Sequence, residues 1–228
     1  MNKLIEMLSI YITDYEKEYF RKRVKLKKMT IDNIIKFSLF PDCFARKILY
    51  EKIFKKINND AYRTWTIRGL GSYISGRSLD DKNCIRYING DIEDIPWNKF
   101  LTTDSYFIRS SVIKKYNQNN APKNLIVAEG VYDIVNLYLR RSRYFIEEEN
   151  SFFVAAQCSN YERAYKLYNM MWNDIPKNII IFADMGITLD QIKNQFEKIK
   201  NNRINIKVNW PIIKDWEECG PINYSYEF

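Results

Sequence analysis

The sequence predicts an α/β fold, a mostly parallel sheet flanked by helices, preceded by a small α+β subdomain of helices and antiparallel strands. Two observations predict it. Four short apolar runs alternate with helix-like segments in the second half of the chain, and such alternation is typical of a parallel sheet with helices on its faces. Before them, helical periodicity gives way to β-rich runs separated by turn residues.

The first part of the chain is expected to form the subdomain. Residues 1–60 are predicted to be helical, because apolar residues recur at helical spacing and Thr30 can cap a helix. Residues 61–120 contain three β-rich runs separated by Gly-Leu-Gly and Asp-Asp-Lys-Asn, which predicts antiparallel strands. The polar stretch 114–124 is interpreted as a linker.

Residues 121–220 are predicted to form the α/β domain, and 221–228 a tail. The predicted strands are LIVAEG (125–130), FFVAAQ (152–157), NIIIFADM (178–185) and INIKVNWP (204–211). The predicted helices are 131–143, 160–172 and 187–201.

Composition limits the function. The 228 residues are 46% hydrophobic, enough to bury a core in one large domain or two small ones. The net charge of +8 favours an acidic partner, nucleic acid before anionic membrane. No apolar run approaches the roughly 18 residues of a membrane span, and the start does not resemble a signal peptide. We therefore expect a cytoplasmic protein with no membrane partner.

Cysteine and histidine usage excludes several chemistries. The chain has 4 cysteines, widely scattered and without a CxxC pair, and 0 histidines. A zinc ribbon is therefore not expected, and a histidine base or a Ser-His-Asp triad is impossible. Carboxylate and hard-metal chemistry remains, or binding alone.

Carboxylates follow the predicted parallel strands. Glu129 and Asp184 each end a strand, and Asp215 comes just after the fourth. Ligands of such sheets bind beyond the carboxyl ends of the strands, and Mg²⁺ takes one or two carboxylates together with water and phosphate oxygens. The pattern predicts a magnesium site, although each carboxylate could instead cap the following helix.

The basic residues can also be interpreted in two ways, as phosphate ligands or as ordinary surface residues. The run RKRVKLKK (21–28) fits phosphate binding or a solvated helix face. Arg68, Arg77 and Arg86 recur in the β-rich region and are either phosphate ligands or ordinary surface arginines.

Several motifs together resemble a known family. AEGVYD (128–133) and IFADMG (181–186), followed by KDWEE (214–218), resemble a Toprim domain, the metal-binding fold of bacterial-type primases, topoisomerases and some nucleases. Two earlier segments, 18–39 and 66–90, resemble the RNA-polymerase domain of DnaG-type primases. In the second, the matching positions are Arg68, Gly76, Arg77, Leu79, Arg86, Tyr87 and Asn89, with Arg86 replacing the usual lysine.

The resemblance implies a DNA primase that synthesises short RNA primers on single-stranded DNA during phage-type replication. It implies Mg²⁺ or Mn²⁺ as the cofactor, no zinc, and a place in the host cytoplasm if the protein is phage-encoded. The implied partners are single-stranded DNA, nucleoside triphosphates, and a replicative helicase or a single-strand-binding protein.

The resemblance also implies roles for individual residues. The implied catalytic residues are Glu129, Asp184 and Asp215. The implied metal ligands are Glu129, Asp184, Asp215 and Glu217. The residues implied to bind nucleic acid or nucleotide are Arg68, Arg77, Arg86, Tyr87, Asn89 and Lys214.

The chain departs from the family at one metal ligand. The family has Asp-x-Asp after the third strand, whereas this chain has Asp184-Met185-Gly186. Asp190, one helical turn further on, could replace the missing ligand, or Gly186 could serve a tight turn that needs a positive φ. The family's zinc and helicase-binding modules also have no expected counterpart here.

Other functions remain open. The chain could be a degenerate relative that binds nucleic acid within a replisome without catalysis. It could also be a Toprim metal-dependent nuclease, although a nuclease does not need the primase-like front half. A topoisomerase would need further domains that this length does not accommodate.

Overall fold

The structure is a computed structural model, and it describes residues 14–26, 62–67, 73–78, 87–91, 105–108, 121–156, 158–197, 199, 204–212, 216 and 221–228. The chain divides into two units, Met1–Thr102 and Thr103–Phe228.

The first unit contains one described helix and a small sheet. Helix α1 spans Asp14–Arg23, and the strands are β1 (Tyr62–Ile67), β2 (Tyr73–Ser78) and β3 (Tyr87–Asp91). The strands pair antiparallel in the order β1-β2-β3. The other helices predicted within 1–60 lie outside the described residues.

The second unit is an α/β domain. Its strands are β4 (Tyr106–Phe107), β5 (Asn124–Ala128), β6 (Ser151–Ala155), β7 (Asn178–Phe182), β8 (Asn205–Pro211) and β9 (Ile222–Glu227). Its α-helices are α2 (Val131–Leu139), α3 (Glu162–Trp172) and α4 (Leu189–Phe196), and two short 3₁₀ helices span Arg141–Tyr144 and Glu148–Asn150.

The six strands form one sheet in the order β4-β6-β5-β7-β8-β9. The four central strands are parallel, and the two edge strands β4 and β9 pair antiparallel with their neighbours. An α/β fold with a mostly parallel sheet and flanking helices is therefore confirmed. The segment 221–228, expected to be a tail, contains the edge strand β9.

One face of this sheet carries the main apolar core. Helices α3 and α4 bury Leu167, Tyr168, Trp172, Ile192 and Phe196 against alternate residues of the central strands. Full burial of each such side chain contributes about 1.5–3 kcal/mol, so this layer holds both helices onto the sheet.

Helix α2 and the 3₁₀ segment after it cover the opposite face. The Tyr138 ring packs edge-on against Phe153 at 5.1 Å, and the Tyr144 ring packs against Phe182 at 5.4 Å. Phe153 and Phe182 alternate with the strand residues that face α3 and α4. The sheet is therefore buried on both sides, as its continuous apolar strands predict.

The connections reverse direction between β5 and β7. The chain leaves β5 toward β6 on one side, whereas it leaves β7 toward β8 on the other. Right-handed crossovers in opposite directions place α2 on one face and α3 with α4 on the other, as observed. The neighbouring strands β5 and β7 thus form a topological switch point, beyond whose carboxyl ends such sheets bind ligands.

Within the described residues, no helix combines the length and the apolar character that crossing a bilayer requires.

Candidate functional site

Glu129 and Asp184 lie at the switch point. Ala128 of β5 pairs with Phe182 of β7, and Glu129 follows the first strand at once, whereas Asp184 follows the second by two residues. Adjacent strands are about 4.8 Å apart, so the two carboxylates leave the sheet at the same edge. This is the placement that the sequence predicts for them.

Glu129 stands in a half-buried position. Burial raises the pKa of its carboxyl above the ordinary value of 4.5, because a low-dielectric environment disfavours the charged form. The charge of Glu129 is thus unfavourable in the protein alone, and a cation at this edge would relieve that cost.

The Asp133 side chain closes the turn after Glu129. The Gly130 N–H donates a hydrogen bond of 2.9 Å to Asp133 Oδ2, and this bond caps the start of α2. A Cβ on residue 130 would collide with the same oxygen. The buried Asp133, one helical turn after Glu129, therefore packs tightly beneath the loop that carries it.

Asp184 begins a tight turn. The Ile187 N–H donates to the Asp184 carbonyl at 3.3 Å, and Gly186 has a φ of +98°. A positive φ at the third position is typical of a type II turn, which favours glycine. The positive φ agrees with the interpretation of Gly186 as a residue of a tight turn. Asp190 lies exposed in the first turn of α4.

Tyr161 is a fourth polar residue at this edge. Its side chain is fully buried, and its N–H donates to Gln195 Oε1 at 2.8 Å. Burial raises the pKa of its hydroxyl far above the ordinary value, and the charges of Asp184, Glu129 and Asp133 raise it further. The phenol therefore lies within the electrostatic field of the carboxylates.

Trp216 anchors the acidic segment KDWEE. It is completely buried, and its Nε1–H donates to the Ala183 carbonyl at 2.9 Å. Its ring packs edge-on against Phe182 at 4.8 Å. Ala183, which precedes Asp184, therefore holds Trp216, which stands between Asp215 and Glu217 in the sequence. Lys214, Asp215 and Glu217 themselves lie outside the described residues.

The residues expected to bind nucleic acid belong to the other unit, apart from Lys214. Arg77 lies in β2 in register with Tyr87 of β3, and Asn89 lies further along β3. Arg68 and Arg86 lie outside the described residues.

Sequence reasoning missed three residues of this edge. Asp133 stands three residues after a glycine at a helix start, which is a capping signal. Trp216 lies within KDWEE, a motif of which only charged residues were predicted to belong to the site. Tyr161 had no signal, because an aromatic residue before an amphipathic helix is usually part of the core.

The carboxylates suit a hard divalent cation. No group of three His, Cys, Asp or Glu side chains able to hold a metal ion occurs among the residues that the structure describes. Mg²⁺ needs only one or two protein carboxylates, since water and substrate phosphates complete its shell. Glu129 and Asp184 therefore fit a hydrated Mg²⁺ or Mn²⁺.

Comparison of the chain with protein-family models, with curated proteins and with solved structures finds no match.

Proposed function

We propose that this protein is a primase-like nucleotidyltransferase with a Toprim domain, which synthesises short RNA primers on single-stranded DNA. One observation carries the proposal: Glu129 and Asp184 follow two adjacent parallel strands at a topological switch point, where the connections leave in opposite directions. The resemblance of the ordered sequence motifs to DnaG-type primases supplies the reaction class.

The proposed cofactor is Mg²⁺ or Mn²⁺, held by Glu129 and Asp184. Asp215 and Glu217 would join them through the Trp216 anchor, whose hydrogen bond to Ala183 supports a place for the segment near Asp184. A bound cation would favour ionisation of a primer hydroxyl and neutralise charge on the phosphates. Glu129 must be ionised to bind it, which its partly buried position opposes until the cation arrives.

The proposed substrates are a DNA template and nucleoside triphosphates. Arginine side chains that contact phosphates position a nucleic acid without reading its sequence. Arg77, which lies in β2, is proposed to make such a contact. The remaining candidates are Arg68, Arg86, Tyr87, Asn89 and Lys214. A replicative helicase or single-strand-binding protein is a further proposed partner, in a cytoplasmic setting.

A degenerate nucleic-acid-binding module is the second candidate. The observation that favours it is the positive φ of Gly186, which explains by backbone geometry why a metal ligand of the family pattern is missing here. Such a module would bind the same DNA and make no product.

Product analysis tests the proposal. Purified protein is incubated with single-stranded DNA, labelled nucleoside triphosphates and either Mg²⁺ or Mn²⁺. We expect oligoribonucleotides whose formation requires the template and the cation. Shortened template would show a nuclease instead, and binding without either product would show the degenerate module.

A further inference from the structure

Tyr161 holds an unused hydrogen-bond donor in the interior. Its side chain has a relative exposure of 0%, and its hydroxyl has no acceptor among the described residues. A buried donor without an acceptor is costly, and most native structures avoid it. A buried hydroxyl that lacks an acceptor is a candidate for a group that gains its hydrogen-bond partner only when a ligand binds.

The groups around this hydroxyl are acidic. Burial raises the pKa of the Tyr161 hydroxyl, and the charges of Asp184, Glu129 and Asp133 raise it further. Ala183, the residue before Asp184, belongs to the same core cluster as Tyr161, and the Oδ1 atom of the Asp184 carboxylate is buried. The O–H hydrogen is therefore left for an oxygen acceptor at the same edge.

Gln195 holds the loop that carries Tyr161. Gln195 of α4 accepts from the Tyr161 N–H at 2.8 Å and donates through Nε2 to the Ser159 carbonyl, also at 2.8 Å. The ring belongs to the core cluster with Ala164 and Ile192. The phenol is thus positioned before any ligand arrives, and it cannot turn toward solvent without disrupting the core.

We propose that Tyr161 is a positioning residue, whose buried hydroxyl donates a hydrogen bond to the Asp184 carboxylate when that carboxylate binds a divalent cation. The inference rests on the cation site of the proposed function and adds a residue to it. A donor behind a metal-binding carboxylate fixes the orientation of the ligand oxygen, and loss of such a donor typically costs 10–100-fold in metal affinity.

Calorimetric titration of the full chain with Mn²⁺ tests this role. The variants are Tyr161→Phe and Glu129→Gln, and the matched control is Tyr168→Phe. Tyr168 is also buried, but its hydroxyl donates to the Pro122 carbonyl at 2.6 Å. We expect Tyr161→Phe to weaken Mn²⁺ binding about tenfold or more, Glu129→Gln to abolish it, and Tyr168→Phe to leave it unchanged.

Urea unfolding without metal separates positioning from structural support. Tyr161→Phe should be at least as stable as the wild type, because it removes an unused donor, whereas Tyr168→Phe should be less stable. A Tyr161→Phe protein that binds Mn²⁺ like the wild type, or that is destabilised as much as Tyr168→Phe or fails to fold, would overturn the role of Tyr161.

The same titration distinguishes failure of the proposed function. If Glu129→Gln abolishes Mn²⁺ binding while Tyr161→Phe does not change it, the cation site stands and only the Tyr161 inference falls. If the wild type shows no Mn²⁺ binding that depends on Glu129, the cation site itself is wrong, and the inference falls with it.

Discussion

At the scale of single residues, the buried position of Glu129 has an electrostatic cost. Burial raises its pKa above 4.5, so the folded protein binds this proton more tightly than the unfolded chain does. The folded state is then disfavoured as the pH rises from below 4.5 through the raised pKa. The ionised form of Glu129 therefore opposes folding, at the position where we propose that a cation binds.

Glu129→Gln should consequently stabilise the metal-free protein at high pH only. In EDTA, the variant should unfold at a higher temperature than the wild type at about pH 7, and the difference should vanish at about pH 4. Thermal unfolding at both pH values measures this. The exposed Glu149→Gln is the control for loss of one carboxylate. A Glu129→Gln protein less stable than the wild type at about pH 7 would contradict this reading.

Gly186 is the other residue where local geometry decides the chemistry. An ideal Cβ placed on Gly186 meets no heavy atom within 4 Å, so the cost of a side chain there is that of the positive φ alone. Gly186→Ala and Gly186→Asp should therefore destabilise the protein by similar amounts, about 1–3 kcal/mol in urea unfolding. An aspartate variant as stable as the wild type would show that the turn does not require glycine.

At the scale of elements, α4 connects the carboxylate edge to the Tyr161 loop. The helix begins at a capping box in which the Thr188 hydroxyl accepts from the Gln191 N–H at 3.2 Å and the Thr188 N–H donates to Gln191 Oε1 at 2.8 Å. Two turns later, Gln195 contacts the loop after β6. The Asp184 turn and the Tyr161 loop are therefore coupled through one short helix.

Gln195→Ala should lower the free energy of unfolding by about 1–2 kcal/mol, because it removes both hydrogen bonds to the loop. The exposed neighbour Asn194→Ala, on the same helix, should change it by less than about 0.5 kcal/mol. Urea unfolding of the two variants compares them. Equal effects would indicate that helix propensity, rather than the contact with the loop, determines the result.

The buried strands and helices could be predicted from the sequence, whereas the exposed edge strand could not. The four central strands and the three helices were predictable, because strands buried on both faces are continuous apolar runs and the helices carry apolar stripes. Strand β9 was not, because all six of its residues are exposed and its position depends on backbone pairing with β8. Two carboxylates of the edge were predictable from the strand ends. Tyr161 was not, because Gln195, which holds it, is 34 residues away.

At the scale of the whole molecule, the net charge of +8 predicts binding to single-stranded DNA that weakens with salt. Lysine and arginine contacts release counterions, so we expect affinity to fall about tenfold or more between roughly 50 and 200 mM salt. Arg77→Glu should weaken binding and reduce the slope. Lys177→Glu makes the same charge change just before β7, at the opposite end of that strand from Asp184, and serves as the control. Salt-independent binding would contradict a nucleic-acid partner.

The central claim is that the carboxylates after β5 and β7 support nucleotidyl transfer. Its most direct measurement is the rate of template-dependent RNA synthesis, with saturating Mn²⁺, for the wild type, Asp184→Asn and the control Asp174→Asn, at an exposed residue before β7. We predict that Asp184→Asn lowers the rate about a hundredfold or more while DNA binding stays intact, and that Asp174→Asn keeps the wild-type rate. Synthesis by Asp184→Asn at the wild-type rate, or no synthesis by the wild type at any Mn²⁺ concentration, would contradict the claim.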